Sequence, residues 1–114
     1  MRKTSSTNHL NETELTAICP MHNVMKILGG RWKIPLLYFI HQDHNRFGLL
    51  QKKMPFITTK MLSQQLKELE KDEMLIRKIF PEMPPRVEYS LTPKGLSILP
   101  VLEDLYDWGE QFIK

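Results

Sequence analysis

Apolar residues recur along the chain at intervals of three and four, and in one stretch at intervals of two. The first spacing places side chains on one face of a helix, and the second places them on one face of a strand. A glycine pair, several prolines and short polar segments separate these blocks, as expected where helices end. The intervals that the pattern predicts as helices are 20–28, 31–41, 47–54, 58–72 and 93–113.

The fourth of these intervals has the clearest division into two faces. At the helical step of about 100° per residue, Leu62, Leu66 and Leu69 lie on one side. Thr58 or Thr59 offers an N-cap. The pattern predicts a helix that packs on the core with its leucines and exposes a polar, basic face. That face carries Lys60, Ser63, Gln64 and Lys67.

Within residues 75–91, the apolar residues recur with a period of two instead of the helical spacing of three and four. Val87, Tyr89 and Leu91 alternate with polar residues, and residues 81–85 include three prolines. Proline cannot continue a strand ladder, so the pattern predicts a β-hairpin with a stiff loop.

The last predicted helix, 93–113, follows Thr92 as its N-cap and contains Pro100, which is expected to kink it. Its apolar residues cover a wide sector that one chain of this size would leave in water. Pairing with a second copy about a twofold axis would bury that sector. The predicted interface residues are Leu99, Leu102, Leu105, Tyr106, Trp108 and Phe112.

Length and composition limit the class of protein. The 114 residues suit one domain, predicted at 16–114 after a mobile N-terminal tail at 1–15. No apolar run approaches the roughly 20 residues of a membrane helix, and the polar N-terminus has no secretory signal. The single cysteine, Cys19, then favours a reducing cytoplasm.

Nothing in the sequence is typical of an enzyme. We find no nucleophile with a matching base, no glycine-rich phosphate loop and no zinc-ligand spacing, so neither catalysis nor a cofactor is predicted. His41 and His44, with Asp43 between them, are the best arrangement for a metal ion. We interpret them as surface residues, because no further ligand completes the set.

The net charge of +3 hides an uneven distribution. Residues 46–67 include five basic residues and no acidic one, whereas 95–114 include four acidic residues and one basic. A concentrated basic segment attracts polyanions. The order of elements is that of a winged helix-turn-helix, in which the polar-faced helix enters the major groove. The residues predicted to contact DNA are Thr58, Thr59, Lys60, Ser63, Gln64 and Lys67, with Arg46, Lys52, Lys53 and Arg86 around them.

Several motifs resemble those of the HxlR-type bacterial transcriptional regulators, which are relatives of the MarR-type winged helices. The most specific are Gly29-Gly30-Arg31-Trp32 and the run Pro-Pro-Arg-Val-Glu-Tyr-Ser-Leu-Thr at 84–92. The resemblance implies a mostly helical fold with a recognition helix at 58–72, a hairpin wing at 75–91 and terminal helices that pair two subunits. It further implies a cytoplasmic, nucleoid-associated homodimer, often a repressor, on an inverted-repeat operator in double-stranded DNA.

Two places depart from the family's pattern. Gly48-Leu49 stands where a small polar residue and then an acid are usual, which removes an N-cap. Glu73 stands where glycine is usual. Glycine adopts a positive φ without strain, so Glu73 implies either a different turn or a strained one.

Cys19 has two interpretations. It precedes a helix start, where the helix dipole favours the thiolate, and the resemblance implies a sensor of oxidants or reactive carbonyls. Alternatively, it is a small apolar residue packed at the dimer interface. A lone cysteine cannot form a disulfide within its chain. Oxidation would therefore give a sulfenic acid, a mixed disulfide with a small thiol, or a bond to a second copy.

A winged helix can also bind a partner protein through the face that would otherwise read DNA. Such a face carries exposed aromatic residues or leucines. The lysines, serine and glutamine of the predicted recognition helix favour DNA instead.

Overall fold

The structure is a computed structural model, and it describes residues 19–113. The predicted tail at 1–15 and the predicted start of the domain at 16–18 lie outside the described residues. The elements are α1 (Pro20–Leu28), α2 (Lys33–His41), α3 (Phe47–Lys53), α4 (Thr59–Lys71), β1 (Leu75–Phe80), β2 (Arg86–Leu91), α5 (Pro93–Ser97) and α6 (Leu99–Glu110).

The described residues divide into two compact units, 19–30 and 31–113. The described part of the first unit is α1, and all other elements belong to the second. The second unit is mostly helical with one antiparallel hairpin, which confirms the predicted fold class. Helices α3 and α4 form the helix-turn-helix, and β1 and β2 form the wing.

Helix α2 is the centre of the second unit. It packs against α3, α4 and β2, while α4 also packs against β1. Leu36 and Leu37 of α2 are fully buried, and so is the predicted leucine face of α4. Burying a leucine side chain stabilises a fold by about 1.5–3 kcal/mol, so these contacts account for much of the core.

The predicted hairpin is confirmed. Its register pairs Leu75 with Leu91 and Ile79 with Val87, and residues 81–85 connect the strands. The base of the wing has a further anchor, because the backbone N–H of Tyr89 donates to the carbonyl oxygen of Asn45 at 2.9 Å. This bond ties the wing to the connection between α2 and α3.

The predicted C-terminal helix is interrupted rather than continuous. Helix α5 ends at Ser97 and α6 begins at Leu99, with Ile98 between them. Pro100 explains the interruption, because it has no N–H to donate to the carbonyl of Leu96 and its ring crowds that group. The prediction of one helix over 93–113 with a kink was therefore wrong about its continuity.

Both predicted threonine caps are confirmed. The Thr58 hydroxyl accepts from the N–H of Met61 at 3.0 Å, and the Thr92 hydroxyl accepts from the N–H of Gly95, also at 3.0 Å. Gly95 is buried, and a Cβ at this position would lie 2.3 Å from the carbonyl oxygen of Met74. Glycine thus allows α5 to approach the turn after α4.

The turn after α4 has the strain that the sequence indicated as one possibility. Glu73 has φ 61, in the left-handed region. Its N–H donates to the carbonyl of Glu70, and the N–H of Met74 donates to the carbonyl of Leu69. These are the two bonds of a Schellman motif, which normally has glycine at the left-handed position. The turn is therefore the usual one, with an unfavourable residue in it.

Replacing Glu73 with glycine should stabilise the fold by about 1 kcal/mol, because a Cβ makes the left-handed conformation unfavourable. Glu73→Ala keeps the Cβ and is the matched control, for which no such gain is expected. The measurement is the midpoint of denaturant unfolding at an unchanged slope. If both variants had the same stability as the parent, Glu73 would not be strained.

Candidate nucleic-acid interface

The outward face of α4 brings the predicted base-reading residues together. The leucines on the opposite side direct this face away from the core, and the side chains on it are exposed or half-buried. Lys60, Ser63, Gln64 and Lys67 line one open depression. Glu68 and Lys71, which the sequence prediction did not include, also line it. Lys71 could have been found from the sequence, because it lies four residues after Lys67 on the same face.

The two threonines at the start of α4 have structural partners. Thr58 caps the helix, and the Thr59 hydroxyl accepts from Nε2 of Gln51 on α3 at 3.0 Å. Both hydroxyl oxygens act as acceptors here, so each O–H remains a donor. Gln51 joins the two helices of the helix-turn-helix, a role that its position in the sequence did not indicate.

Glu68 is an acid at the centre of this basic face. Its Oε1 lies 2.7 Å from Nζ of Lys33, the first residue of α2, and its Oε2 accepts from Nε2 of Gln64 at 3.1 Å. Lys33 is only 7% exposed. The hydrogen bonds from Lys33 and Gln64, with the positive charges of Lys33 and Lys71, hold the pKa of Glu68 below its usual value. The carboxylate is thus charged and paired.

The C-terminal turn of α3 adds two exposed cations beside the start of α4. Lys52 and Lys53 both lie in this last turn, where positive charge is favoured by the helix dipole. Nζ of Lys53 lies 6.0 Å from the centre of the Phe39 ring. Both lysines lie on the helix predicted at 47–54, and their contact with DNA stays a prediction.

Arg86 was predicted to contact DNA from the wing. In the structure, other side chains of the wing surround its guanidinium group. It lies 3.2 Å from carboxylate oxygens of both Glu82 and Glu88, and its guanidinium carbon is 4.1 Å from the centre of the Phe80 ring. Arg46 pairs with the same Glu88 at 3.4 Å. The sequence prediction placed both arginines among the residues that contact DNA. In the structure, a phosphate would have to compete with these carboxylates.

Two other cations of the wing lie on β1 and were missed by the sequence prediction. Arg77 and Lys78 are exposed. Lys78 is opposite Glu88 in the hairpin register, with Nζ 5.0 Å from the centre of the Phe80 ring. Their position was not evident from the sequence, because it depends on the register across the proline-containing loop.

The predicted interface residues of α6 separate into two groups. Leu99 and Leu102 are buried within the chain itself, so they belong to its core and were wrongly placed on an outward face. Leu105, Tyr106, Trp108 and Phe112 are between 54% and 65% exposed. The inner residues of α6 face α5 and the core, and of the outer ones Tyr106 stacks on Tyr38 of α2 with 6.5 Å between the ring centres.

Cys19 is the N-cap residue of α1 and is half-buried, with its backbone carbonyl accepting from the N–H of His22 at 3.0 Å. Over residues 19–113, no three His, Cys, Asp or Glu side chains come together as metal ligands. Among these same residues, no helix is both long and apolar enough to cross a membrane.

These features define a winged helix-turn-helix protein with a polar, basic face on α4. The profile of the HxlR-like helix-turn-helix family matches residues 27–114. The chain belongs to this family, as its motifs indicated, and is a transcriptional regulator of the helix-turn-helix type.

Individual relatives agree with this assignment. The HTH-type transcriptional regulator YdeP of Bacillus subtilis is 43% identical over 94 residues, which are 82% of this chain and 73% of YdeP. The redox regulator HypR in its oxidised form superposes with a TM-score of 0.78 at 37% identity, covering 84% of this chain and 99% of HypR. Reduced YodB of B. subtilis has a TM-score of 0.70 at 35% identity, covering 84% and 94%. Each of these relatives is a regulator by name.

The lowered pKa of Glu68 predicts how stability depends on pH. A carboxyl group with a lower pKa in the folded chain contributes stability above its unfolded value of 4.5, and loses it as pH falls through the folded value. The stability difference between the parent and Glu68→Gln should therefore shrink as pH falls from neutral through 4.5 and then through the folded pKa, which lies lower.

Urea unfolding across this range measures that difference. Glu70→Gln removes the same charge from an exposed position on α4, and controls for the general effect of net charge. A difference that stays constant for Glu68→Gln would contradict the assignment.

Proposed function

We propose that the protein is a homodimeric, sequence-specific DNA-binding repressor that acts on an inverted-repeat operator in the cytoplasm. The observation that supports this best is the outward face of α4, where Lys60, Gln64 and Lys67 are exposed around a half-buried serine. Lysine and glutamine side chains bind base edges and phosphates in the major groove. The only acid within this face, Glu68, is already paired with a buried lysine.

The lysines of α3 extend the positive surface beyond α4. Lys52 and Lys53 suit contacts with the phosphate backbone, which position a protein without reading its sequence. On the wing, Arg77 and Lys78 are the better candidates for backbone contacts, since Arg86 is enclosed by carboxylates. Positioning contacts on both sides of α4 would hold it in register with the bases.

The alternative, a module that binds a partner protein, fits the recognition face less well. Apart from the half-buried Met61, the apolar residues of α4 are buried leucines. One aromatic ring nearby, Phe56 in the turn before α4, is 91% exposed. A single ring does not form the apolar patch of a protein interface, and it suits contact with a thymine methyl group equally well.

The outer face of α6 supports the proposed dimer. Val101, Leu105 and Trp108 recur at spacings of four and three, and each is more than half exposed. Phe112, also more than half exposed, lies in the turn after α6 with its ring centre 5.3 Å from that of Trp108. This spacing makes a continuous apolar stripe. Pairing of two copies about a twofold axis would bury it, and would present two recognition helices about 34 Å apart, one turn of DNA.

The proposed function also includes a redox response through Cys19. The similar structure HypR is a redox regulator, and Cys19 is half-buried at the start of α1. Two Cys19 thiols from two copies could join as a disulfide. The two protons and two electrons released would pass to the oxidant.

DNA binding should fall steeply as salt rises, because lysine contacts release counterions from the phosphates. The test is a gel shift against the DNA upstream of the protein's own gene. Lys60→Ala with Gln64→Ala should reduce the preference for that DNA over random duplex by at least about tenfold. Arg31→Ala removes an exposed cation outside α3, α4 and the wing; it is the control and should change little. Intact preference in the double variant would show that α4 does not read bases.

The parent protein should have twice the monomer mass of 13.5 kDa in light scattering at micromolar concentration. Leu105→Glu should be monomeric, because it places a charge in the buried centre of the stripe. Ile76→Glu makes the same change at an exposed wing residue and should remain dimeric. A monomeric parent would rule out the dimer.

The thiol oxidant diamide should change the affinity of the parent for its upstream DNA, and a reductant should restore it, because a disulfide is reversible. Cys19→Ser should show no response, while binding normally without oxidant. The same gel shift measures the affinity of the parent and of Cys19→Ser for this DNA, with and without diamide. If the variant responded as the parent does, Cys19 would not be the sensor.

A further inference from the structure

The contacts of Glu68 suggest a role beyond balancing charge. A carboxylate facing DNA repels phosphate, yet this one lies in the middle of the recognition face. Its two oxygens have different partners: Oε1 binds Lys33 of α2, and Oε2 binds Gln64 one turn earlier on α4. The three side chains form a chain of contacts from the core to the surface.

Lys33 fixes the inner end of this chain of contacts. It is buried, and a buried lysine needs a close counter-charge. It is also the first residue of α2, where the helix dipole disfavours a cation. Both effects favour holding Glu68 against it. Glu68 is thereby kept in one orientation, with its second oxygen directed at Gln64.

We propose that Glu68 is a positioning residue that determines base specificity by holding the Gln64 amide in one orientation. The inference rests on the proposed function, in which α4 reads bases. A carboxamide has two N–H donors and one acceptor oxygen. With one N–H bound to Glu68, the other N–H and the oxygen remain for DNA. A donor beside an acceptor matches N7 and N6 of adenine.

Fixing the Gln64 amide matters because an unrestrained glutamine can present other arrangements of donor and acceptor to the bases. Its amide can turn over and exchange donor for acceptor, and its chain has several rotamers. A side chain ordered before binding loses less freedom on binding. Glu68 therefore favours adenine over the other bases without touching DNA itself.

The test is selection from a pool of duplex DNA with a randomised segment. The parent should enrich one sequence in two inverted halves, with adenine at one position of each. Gln64→Ala should lose the preference at that position. Glu68→Gln should weaken the same preference about tenfold and leave other positions unchanged. Glu70→Gln, on the same helix and without contact to Gln64, should match the parent.

The double variant Gln64→Ala with Glu68→Gln separates positioning from a general effect of charge. If Glu68 acts through Gln64, the double variant should have the same base preferences as Gln64→Ala alone. Base preferences that change further in the double variant would overturn the proposal. So would full adenine preference in a folded Glu68→Gln protein.

Folding is checked by thermal unfolding of each variant. Glu68→Gln leaves Lys33 buried without a counter-charge, so Lys33→Met with Glu68→Gln is the replacement if that variant does not fold. It should show the same weakened preference for adenine. Failure of the parent to enrich any sequence would overturn the proposed function itself. An enriched sequence that Gln64→Ala leaves unchanged would overturn only the role of Glu68.

Discussion

The burial of three leucines on one side of α4 determines how the recognition face is presented. Leu62, Leu66 and Leu69 are each 1% exposed or less. At about 1.5–3 kcal/mol for each buried side chain, rotating the helix about its axis would be strongly unfavourable. Because successive residues differ by a fixed angle, the same packing directs Lys60 and Gln64 outward. The recognition face is thus a consequence of the core.

Both ends of α4 are held as well. At its start, the Thr58 cap and the bond from Gln51 to Thr59 fix it to α3. At its end, Nζ of Lys94 donates to the carbonyl oxygen of Asp72, and the hydroxyl of Thr92 donates to that of Glu73. Contacts of this kind allow a residue with positive φ to persist in the turn. They also connect the recognition helix to α5 and, through Ile98, to α6.

Much of the fold could be predicted from the sequence, because it depends on local patterns. The leucine stripe of α4, the caps at Thr58 and Thr92 and the alternation in β2 each result from neighbours within a few residues. The resemblance to the family, whose pattern has glycine there, also indicated that Glu73 could be strained in its turn. The break at Ile98 was only partly foreseen, since a proline in a first turn and one that interrupts a helix look alike in sequence.

The candidate site was predictable as a face but not as a set of contacts. The pairing of Lys33 with Glu68 joins α2 to α4 across 35 positions of the chain. The burial of Leu99 and Leu102 depends on which side of α6 meets the core, and the apolar sector of that helix is too wide to reveal it. Long-range packing, not local propensity, decides both.

Ion pairing changes what the basic segment can contribute to DNA binding. Arg46 shares Glu88 with Arg86, so two of the predicted cations are balanced by carboxylates of the wing. The exposed lysines of α3 and α4 are not opposed in this way, since the acid beside them is bound to Lys33. Attraction to phosphate should therefore come mainly from the helix-turn-helix. The wing, whose paired charges nearly cancel, would contribute through its shape and through the two cations of β1.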